Sequence, residues 1–268
     1  MKKLLLGTML LAIAGPAVAA DMKVKAPIAM QPVYSWSGYY IGANGGWASG
    51  QFATDITPFP SAATFVNLLP QTLDPAPTGY FGGGTFGHNM QSGIYVLGWE
   101  SDIQSGLSGS VVESPIIQNN GTPFPGALPG NNLTVSRKLD YWTTSRIRLG
   151  TTILNPRLLV YGTFGVSGGQ FTDSATLNFR PVGTTIYASS VSEVRYGLVA
   201  GGGLEWAVTD SLSLKGEYLY MDFTPSSNFA YPTPALPPFS VLYNFRNTMQ
   251  VARGGLNFKL NGLGILGM

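Results

Sequence analysis

The chain has no cysteine, a single histidine and few charged residues. Without cysteine there is no disulfide, no thiol nucleophile and no cysteine-based metal site. Charged residues make up 10% of the sequence, against about 25% in an average soluble domain. Aromatic residues make up 12%, and there are 35 glycines. Little charge combined with many aromatic residues favours a chain that exposes much of its surface to lipid.

The N-terminus carries the longest apolar run. Two lysines precede a run from Leu4 to Ala14, and small residues follow up to Ala20. This order predicts a secretory signal peptide, cleaved after Ala19 or, as the second choice, after Ala20. The run is far shorter than the roughly 20 residues of a membrane-spanning helix. Without the two lysines, 13 basic residues balance 13 acidic ones, so we expect no nucleic-acid partner.

The segment from Leu212 to Phe223 alternates between two kinds of side chain. Leu212, Leu214, Tyr218 and Tyr220 fall on one face of a strand because successive strand side chains point to opposite sides. Ser213, Lys215 and Glu217 fall on the other face. The same alternation recurs along the chain. A closed ring of strands with lipid outside and a polar interior requires this pattern.

Eight segments are strand candidates, each close to or a little above the ~9–11 residues that cross a bilayer at a tilt. They are Trp36–Trp47, Gly79–Gly87, Ile94–Gln104, Lys138–Thr151, Arg157–Phe171, Arg195–Val208, Leu212–Phe223 and Met249–Leu260. Long connections at Gly50–Thr78, Leu107–Arg137, Thr172–Val194 and Thr224–Thr248 alternate with short ones at His88–Gly93, Thr152–Pro156 and Thr209–Ser211. Long outer loops and short periplasmic turns are typical of outer-membrane barrels.

We therefore predict an all-β fold, an eight-stranded antiparallel up-and-down transmembrane β-barrel with four long extracellular loops. The chain divides into a signal peptide at 1–19, a periplasmic N-terminal lead at 20–35, the barrel at 36–260 and a C-terminal extension at 261–268. The alternation predicts that the following side chains face lipid: Tyr95, Leu97, Trp99, Leu158, Val160, Phe164, Leu198, Leu204, Trp206, Leu214, Tyr218 and Tyr220.

The same alternation predicts a set of charges inside the barrel. An eight-stranded barrel is just wide enough for side chains to fill it, so inward glycines such as Gly201 and Gly203 leave room for larger neighbours. Near balance of sign favours paired charges that plug the barrel over a charge-lined pore, and both interpretations remain open. The inward charges are Glu100, Asp102, Glu205 and Glu217 with Arg146, Arg148, Lys215 and Arg253.

Four motifs occur in an order that we recognise. They are Ser35–Gly42, Asp140–Trp142 followed by Arg146–Gly150, Leu159–Gly162, and Ser213–Tyr220. With these motifs the chain resembles the small outer-membrane β-barrel proteins of Gram-negative bacteria, and it is similar to OmpA barrels, opacity proteins and the major surface immunogens of alphaproteobacteria. The resemblance implies an outer-membrane location, with membrane lipid and the barrel insertion machinery as partners.

The last predicted strand carries Gly255, Phe258 and Leu260 after Arg253. These residues resemble the C-terminal assembly signal that the insertion machinery reads in this family. Family members commonly stop at a terminal aromatic residue, whereas this chain has Leu260 there and continues to Met268.

Two features suggest chemistry but lack the context for it. Gly82–Gly87 matches G-x-G-x-x-G, yet no βαβ unit surrounds it, so we interpret the glycines as strand-packing residues. His88, at the head of a short turn, has no nearby serine or aspartate to form a catalytic set, so we predict no enzyme activity. We predict no cofactor and no metal site.

Three functions remain possible. The first is a structural and surface-interaction protein of the cell envelope with a plugged interior. The second is a narrow porin for small solutes. The third is an adhesin or a binder of haem-like or other host or environmental ligands through the loops. The sequence does not predict an oligomeric state.

Overall fold

The computed structural model describes residues 33–51, 54–59, 70–113, 132–179, 185–233 and 240–260. The predicted signal peptide, most of the predicted lead and the 261–268 extension lie outside the described residues. In the part that is described, no helix is long and apolar enough to cross a membrane.

All regular structure in the described residues is β-strand. The strands are β1 Gly38–Gln51, β2 Thr54–Phe59, β3 Thr72–Leu73, β4 Thr78–Ser92, β5 Tyr95–Glu113, β6 Asn132–Thr152, β7 Leu158–Phe179, β8 Thr185–Ala207, β9 Leu212–Thr233 and β10 Ser240–Lys259.

Eight of these strands close into a ring. Each of β1 and β4 to β10 pairs antiparallel with its neighbour, and β1 pairs with β10 to complete the circle. The closing seam runs over twelve residue pairs, from Tyr40 opposite Lys259 to Gln51 opposite Thr248. A closed ring leaves no unpaired edge along this part of the wall, as a membrane requires. The predicted eight-stranded antiparallel barrel is confirmed.

The ring strands are much longer than predicted at one end. At the end with the short turns, the predicted and observed strand ends mostly agree within two residues. At the other end, termed the long-connection end, β6 begins at Asn132 instead of Lys138 and β9 ends at Thr233 instead of Phe223. Much of each predicted long loop is therefore strand, and the predicted loop lengths were wrong.

The extra strand length has a physical reason, which is a reversed alternation. The part of each strand nearest the long-connection end is termed its upper part. In the upper part of β6, Leu133 and Val135 face inward and are buried, whereas Ser136 and Lys138 face outward. This is the pattern of a strand with water outside and an apolar interior. The lipid-facing pattern used for the prediction has the opposite sign, so it could not find these segments.

Two short strands belong to the first long connection. β2 pairs antiparallel with the upper half of β10, from Thr54 opposite Phe245 to Phe59 opposite Ser240, and β3 pairs with β2. Beyond Gln51, β2 thus takes the place beside β10 that β1 holds further down. The prediction that Gly50–Thr78 is entirely loop was wrong.

The first short turn is tighter than predicted. Gly93 and Ile94 alone connect β4 to β5, and Gly93 has a positive φ of 60°, which glycine adopts without strain. His88 was predicted at the head of this turn but lies within β4, where its ring is 4.3 Å from the ring of Tyr39. The placement of His88 in a turn was therefore wrong.

The outer face of the barrel carries two belts of exposed aromatic side chains. Between them, the outward side chains are mostly apolar, and beyond the second belt serine and threonine predominate. This arrangement matches the aromatic girdles and apolar band of an outer-membrane barrel. One belt, near the short turns, contains Tyr39, Phe86, Tyr95, Trp99, Trp206 and Phe258, and the other contains Trp47, Tyr80, Tyr141, Tyr196 and Tyr220.

Candidate functional site: the charged layers of the barrel interior

The interior near the short turns contains a layer of charged side chains, termed the lower charged layer. It brings together all eight inward charges predicted from the sequence, and each side chain is at most 6% exposed. Four carboxylates meet four cations, so the layer has no formal net charge. Its members are Glu100, Asp102, Arg146, Arg148, Glu205, Lys215, Glu217 and Arg253.

Glu100 lies at the centre of this layer. Its Oε1 accepts from Nη2 of Arg146 at 2.6 Å, and both of its carboxylate oxygens accept from Nζ of Lys215 at 2.8 Å. Nη1 of Arg148 is 3.3 Å from Oε2, and the hydroxyl of Tyr40 donates to the same oxygen at 2.9 Å. Strands β1, β5, β6 and β9 are thus connected through one carboxylate.

A second group of contacts extends the layer to β10. Nε of Arg253 donates to Oε2 of Glu217 at 2.7 Å, and Nη2 of Arg253 donates to Oδ2 of Asp102 at 2.8 Å. Arg146 also contacts both acids, through Nη1 to Oε1 of Glu217 at 2.8 Å and through Nη2 to Asp102 at 2.7 Å. Two arginines therefore bridge two acids, which compensates the cost of burying all four charges.

Glu205 and Arg148 form the part of the layer nearest the short turns. Nη2 of Arg148 donates to Oε2 of Glu205 at 2.5 Å, and Ser213 and Asn257 both donate to Oε1 of Glu205. The guanidinium of Arg148 also lies over the ring of Tyr161, 3.9 Å from its centroid. Neutral donors and an aromatic face thus complete the environment of this ion pair.

Two inward glycines create the space that Tyr40 and Tyr161 occupy. Gly87 lies opposite Tyr40, and a Cβ at Gly87 would collide with the phenol of Tyr40. Gly203 lies opposite Tyr161, and a Cβ there would be 2.7 Å from the Tyr161 hydroxyl oxygen. We expected inward glycines to leave room for larger neighbours, and at Gly87 and Gly203 these neighbours are the two tyrosines.

An apolar layer lies above the lower charged layer and fills the interior. Trp142 is 1% exposed and packs edge to face against Phe81, with ring centroids 4.9 Å apart. Side chains of all eight ring strands contribute, so the barrel interior at this level is apolar and not polar as predicted. The layer contains Ala48, Phe81, Leu107, Leu139, Trp142, Phe171, Val199, Leu219, Met221, Phe223, Met249 and Val251.

A second set of charges, termed the upper charged layer, lies beyond the apolar layer. Asp173 accepts from Nε of Arg137 at 2.6 Å and also from Arg195. Nη1 of Arg137 donates to Oδ1 of Asn247 at 2.7 Å, and Nε of Arg195 donates to Glu193. Arg137 and Asp173 are completely buried.

The sequence interpretation missed most of this upper layer. It assigned Arg137, Asp173 and Glu193 to loops and placed only Arg195 in a strand. Around Arg137 and Asp173, apolar residues lie on the same strand face as the charged residue, and polar residues lie on the opposite face. This alternation is the signal that could have found them.

A further apolar cluster lies above the upper charged layer. It comprises Ile56, Leu133, Val135, Ala175, Leu177, Val241, Tyr243 and Phe245.

The predicted lipid-facing side chains all lie on the outer face. Ten of the twelve are classed as exposed, while Leu158 and Val160 are half-buried but alternate with the inward Leu159 and Tyr161.

The three residues of the proposed assembly signal are near the end of β10. Phe258 is 43% exposed on the outer face, and Gly255 faces inward, where a Cβ would be 3.1 Å from the carbonyl oxygen of Ala43. Leu260 is half-buried and lies one residue beyond the end of β10, so it is not in the strand as predicted.

The remaining motifs show strand packing. Gly82–Gly87 lies within β4, where no helix follows. Among the described residues, no three histidine, cysteine or acidic side chains are grouped so that they could hold a metal ion.

A closed antiparallel ring, two aromatic girdles and a filled interior define the class of this protein as a small membrane β-barrel. The chain matches the model of the outer membrane protein beta-barrel domain over residues 8–245, and it belongs to that family.

Two curated relatives support this membership. The chain is 33% identical over 229 residues to the 31 kDa outer-membrane immunogenic protein of Brucella melitensis biotype 1, covering 83% of this chain and 87% of that protein. It is 29% identical over 200 residues to the 22 kDa outer membrane protein of Rhizobium leguminosarum bv. viciae, covering 74% and 69%. This protein is therefore an outer-membrane β-barrel protein.

The fold is also similar to that of a solved outer-membrane protein. The outer membrane protein OprG from Pseudomonas aeruginosa superposes with a TM-score of 0.54 at 15% identity, covering 85% of this chain and 100% of that one. The similarity extends to the fold alone.

Proposed function

We propose that this protein is a closed barrel that has a structural and surface-interaction role in the outer membrane. The observation that supports it is the stack of charged and apolar layers that fills the interior. From the short turns upward, the order is the lower charged layer, the apolar layer around Trp142, the upper charged layer and the apolar cluster around Tyr243.

The charged layers favour a plug over a selective pore. A conducting pore for ions usually presents rings of one sign to water, whereas here Glu100, Asp102 and Glu217 each contact arginine directly. Their side chains are fully buried, so their negative charge is compensated by arginine within the layer and is not presented to water. The interior then stabilises the ring, and the long-connection end, which faces outward in this family of barrels, remains as the surface for interaction.

One observation favours the narrow porin as a second candidate. Oδ1 of Asn44, both amide atoms of Gln104 and Oγ of Ser167 are buried without a hydrogen-bond partner among the described residues. Water is the usual partner of such atoms. A row of waters beside the lower charged layer would be the beginning of a solute path.

Conductance of the refolded protein in planar lipid bilayers separates the two candidates. The closed barrel should give no steady current steps, while a known porin inserted into the same bilayers serves as the positive control. Circular dichroism of the same sample should show β-structure, which verifies that the silent protein is folded. Steady steps from a folded sample would overturn the closed barrel and favour the porin.

The role in the envelope is tested in cells. Deletion of the gene should increase the sensitivity of the cells to detergent, and wild-type protein should restore resistance. Full resistance in the deletion strain would contradict a structural role, and binding through the long connections would then be the function to pursue.

A further inference from the structure

The residues just before β1 occupy the mouth of the barrel at the short-turn end. Tyr34, Ser35, Trp36 and Ser37, termed the mouth segment, are not part of any strand. The sequence predicted the first two as an extended lead and placed Trp36 at the start of the first strand. Instead, β1 begins at Gly38, so that prediction was wrong by two residues.

Trp36 is the anchor of the mouth segment. Its side chain is 3% exposed and packs inside the barrel in a cluster with Val96, Leu159 and Ala207. The indole Nε1 donates to the carbonyl oxygen of Pro156 at 3.0 Å. A buried tryptophan with its N–H satisfied is a stable position for this side chain.

Backbone contacts attach the same segment to the strand ends around it. The backbone N–H of Trp36 donates to Oε1 of Gln91 at 2.7 Å, and the backbone N–H of Gln91 donates to Oγ of Ser37 at 2.9 Å. Nζ of Lys259 donates to the carbonyl oxygen of Ser35 at 2.5 Å. The segment therefore joins the end of β4 to the end of β10.

Tyr34 covers the opening next to Trp36. Its ring packs edge to face on the ring of Trp36 at 5.1 Å and lies 5.1 Å from Cζ of Arg157 and 5.4 Å from Nζ of Lys259. Burial, with a smaller contribution from Glu205, raises the pKa of Tyr34 to about 12, so the phenol stays neutral between these cations at physiological pH.

Gly38 directs the chain from the wall into the mouth. Its φ of 127° is outside the range that side-chain-bearing residues commonly adopt. In the same Ser35–Gly42 motif, Tyr39 faces outward in a girdle and Tyr40 donates to Glu100 in the lower charged layer.

The space behind the segment is too small for a solute. The cavity between Tyr34, Trp36 and the side chain of Glu205 measures about 10 Å³, which is roughly the volume needed to place one water molecule. Beside Glu205, the mouth therefore has room for nothing larger than about one water molecule.

We propose that the mouth segment is a seal that closes the barrel interior on the periplasmic side and shields the Arg148–Glu205 ion pair from water. The proposal rests on the closed-barrel function above and adds the residues that perform the closure at this end. Trp36 fills the mouth, Gly38 sets the direction of the segment, and Gln91 and Lys259 hold it in place.

Accessibility of single cysteines tests the seal, because the native chain has none. Ala207→Cys places a thiol beside Trp36 at a position that is 1% exposed. A positively charged, water-soluble methanethiosulfonate reagent should label Ala207→Cys in folded, detergent-solubilised protein at least tenfold more slowly than Asp210→Cys, which lies in an exposed turn. Adding Trp36→Ala should raise the rate at Ala207→Cys at least tenfold.

One control variant and one second seal variant make the result specific. Trp47→Ala removes an outward tryptophan at the other end of β1 and should leave the labelling rate of Ala207→Cys unchanged. Gly38→Ala keeps Trp36 but strains the backbone, so it should also accelerate labelling of Ala207→Cys. It replaces Trp36→Ala in the test if Trp36→Ala does not fold.

A third cysteine separates failure of the seal from failure of the closed barrel. Val251→Cys lies in the apolar layer beyond the lower charged layer and should stay protected in all folded variants. Fast labelling of Ala207→Cys in the parent, with Val251→Cys protected, would overturn the seal alone, as would no acceleration in both Trp36→Ala and Gly38→Ala. Fast labelling of Val251→Cys in the parent would overturn the closed barrel.

Discussion

At the scale of single residues, the stability of the interior depends on charges that cannot be removed one at a time. Glu217 accepts from both Arg146 and Arg253, and all three side chains are fully or almost fully buried. Glu217→Gln leaves two guanidinium groups with less negative charge in a confined space. We expect this change to destabilise the barrel by about 3 kcal/mol.

Thermal unfolding, followed as the loss of the folded band on a gel, measures this effect. Adding Arg253→Gln should restore part of the lost stability, because the two side chains are directly paired. Asp222→Asn, which changes an exposed acid on the same strand, is the matched control and should leave the transition unchanged. Additive losses in the Glu217→Gln and Arg253→Gln double variant would show that the pair is not coupled.

The inward glycines give a second prediction at this scale. Gly87→Ala introduces a methyl group into the space of the Tyr40 phenol and should destabilise the barrel by about 1–3 kcal/mol through overpacking. Gly84→Ala on the same strand points outward, where the nearest atom is 3.9 Å away, and should be neutral. Urea unfolding of both variants provides the comparison, and equal stability of the two would contradict the assignment of faces on β4.

At the scale of the strands, each ring strand passes through two environments. On β9, Leu214 and Tyr218 face outward in the membrane region while Lys215 and Glu217 face inward. On the upper parts of β6 and β7 the rule reverses, because water replaces lipid outside and the interior becomes the apolar side. β6 and β7 therefore stay paired well beyond the bilayer, with one irregularity in the pairing between Leu139 and Tyr141.

An arginine placed on the outer face should distinguish the two environments. Ile103→Arg puts a charge on the outer face of β5 between the two aromatic belts, against the hydrocarbon region, and should cost about 2–4 kcal/mol. Ser110→Arg puts the same side chain on the outer face of β5 beyond the second aromatic belt, where it should cost almost nothing. The yield of folded protein in lipid vesicles measures the difference. Equal yields would place both positions in the same environment.

At the scale of the whole molecule, the layers make the interior a continuous core across the membrane and beyond it. Ion pairs alone would leave a hydrated interior, and an apolar interior alone would lose the connections between distant strands that Lys215 makes with Glu100 and Arg137 makes with Asn247. Alternating the two allows each charged layer to be enclosed by apolar side chains.

The orientation of the molecule gives a prediction at the same scale. Proteinase K added to intact cells should cut the connection between β5 and β6, after Glu113 and before Asn132, because long connections of these barrels face outward. The turn between β6 and β7, around Pro156, should be cut only in permeabilised cells. Cleavage at Pro156 in intact cells, with the long connection spared, would invert the orientation.

Alternation along the strands was sufficient to predict the ring and the lower charged layer. A strand allows only two faces, and hydrocarbon requires one of them to be apolar, so the inward charges such as Glu100 and Arg253 could be identified from alternation alone. Antiparallel neighbours then bring these charges to the same interior, because the ring is narrow.

The features that depend on what lies opposite a residue could be seen only in the folded barrel. Arg137 and Asp173 appear as loop residues until the upper strands are paired, since their alternation has the sign of a strand in water. The sequence predicts Trp36 at the start of a strand, whereas in the fold Val96, Leu159 and the carbonyl of Pro156 are its partners at the mouth of the barrel. Trp36 and Pro156 are 120 positions apart in the chain, so their contact leaves no local pattern in the sequence. For this reason the closure at Trp36 could be seen only in the fold.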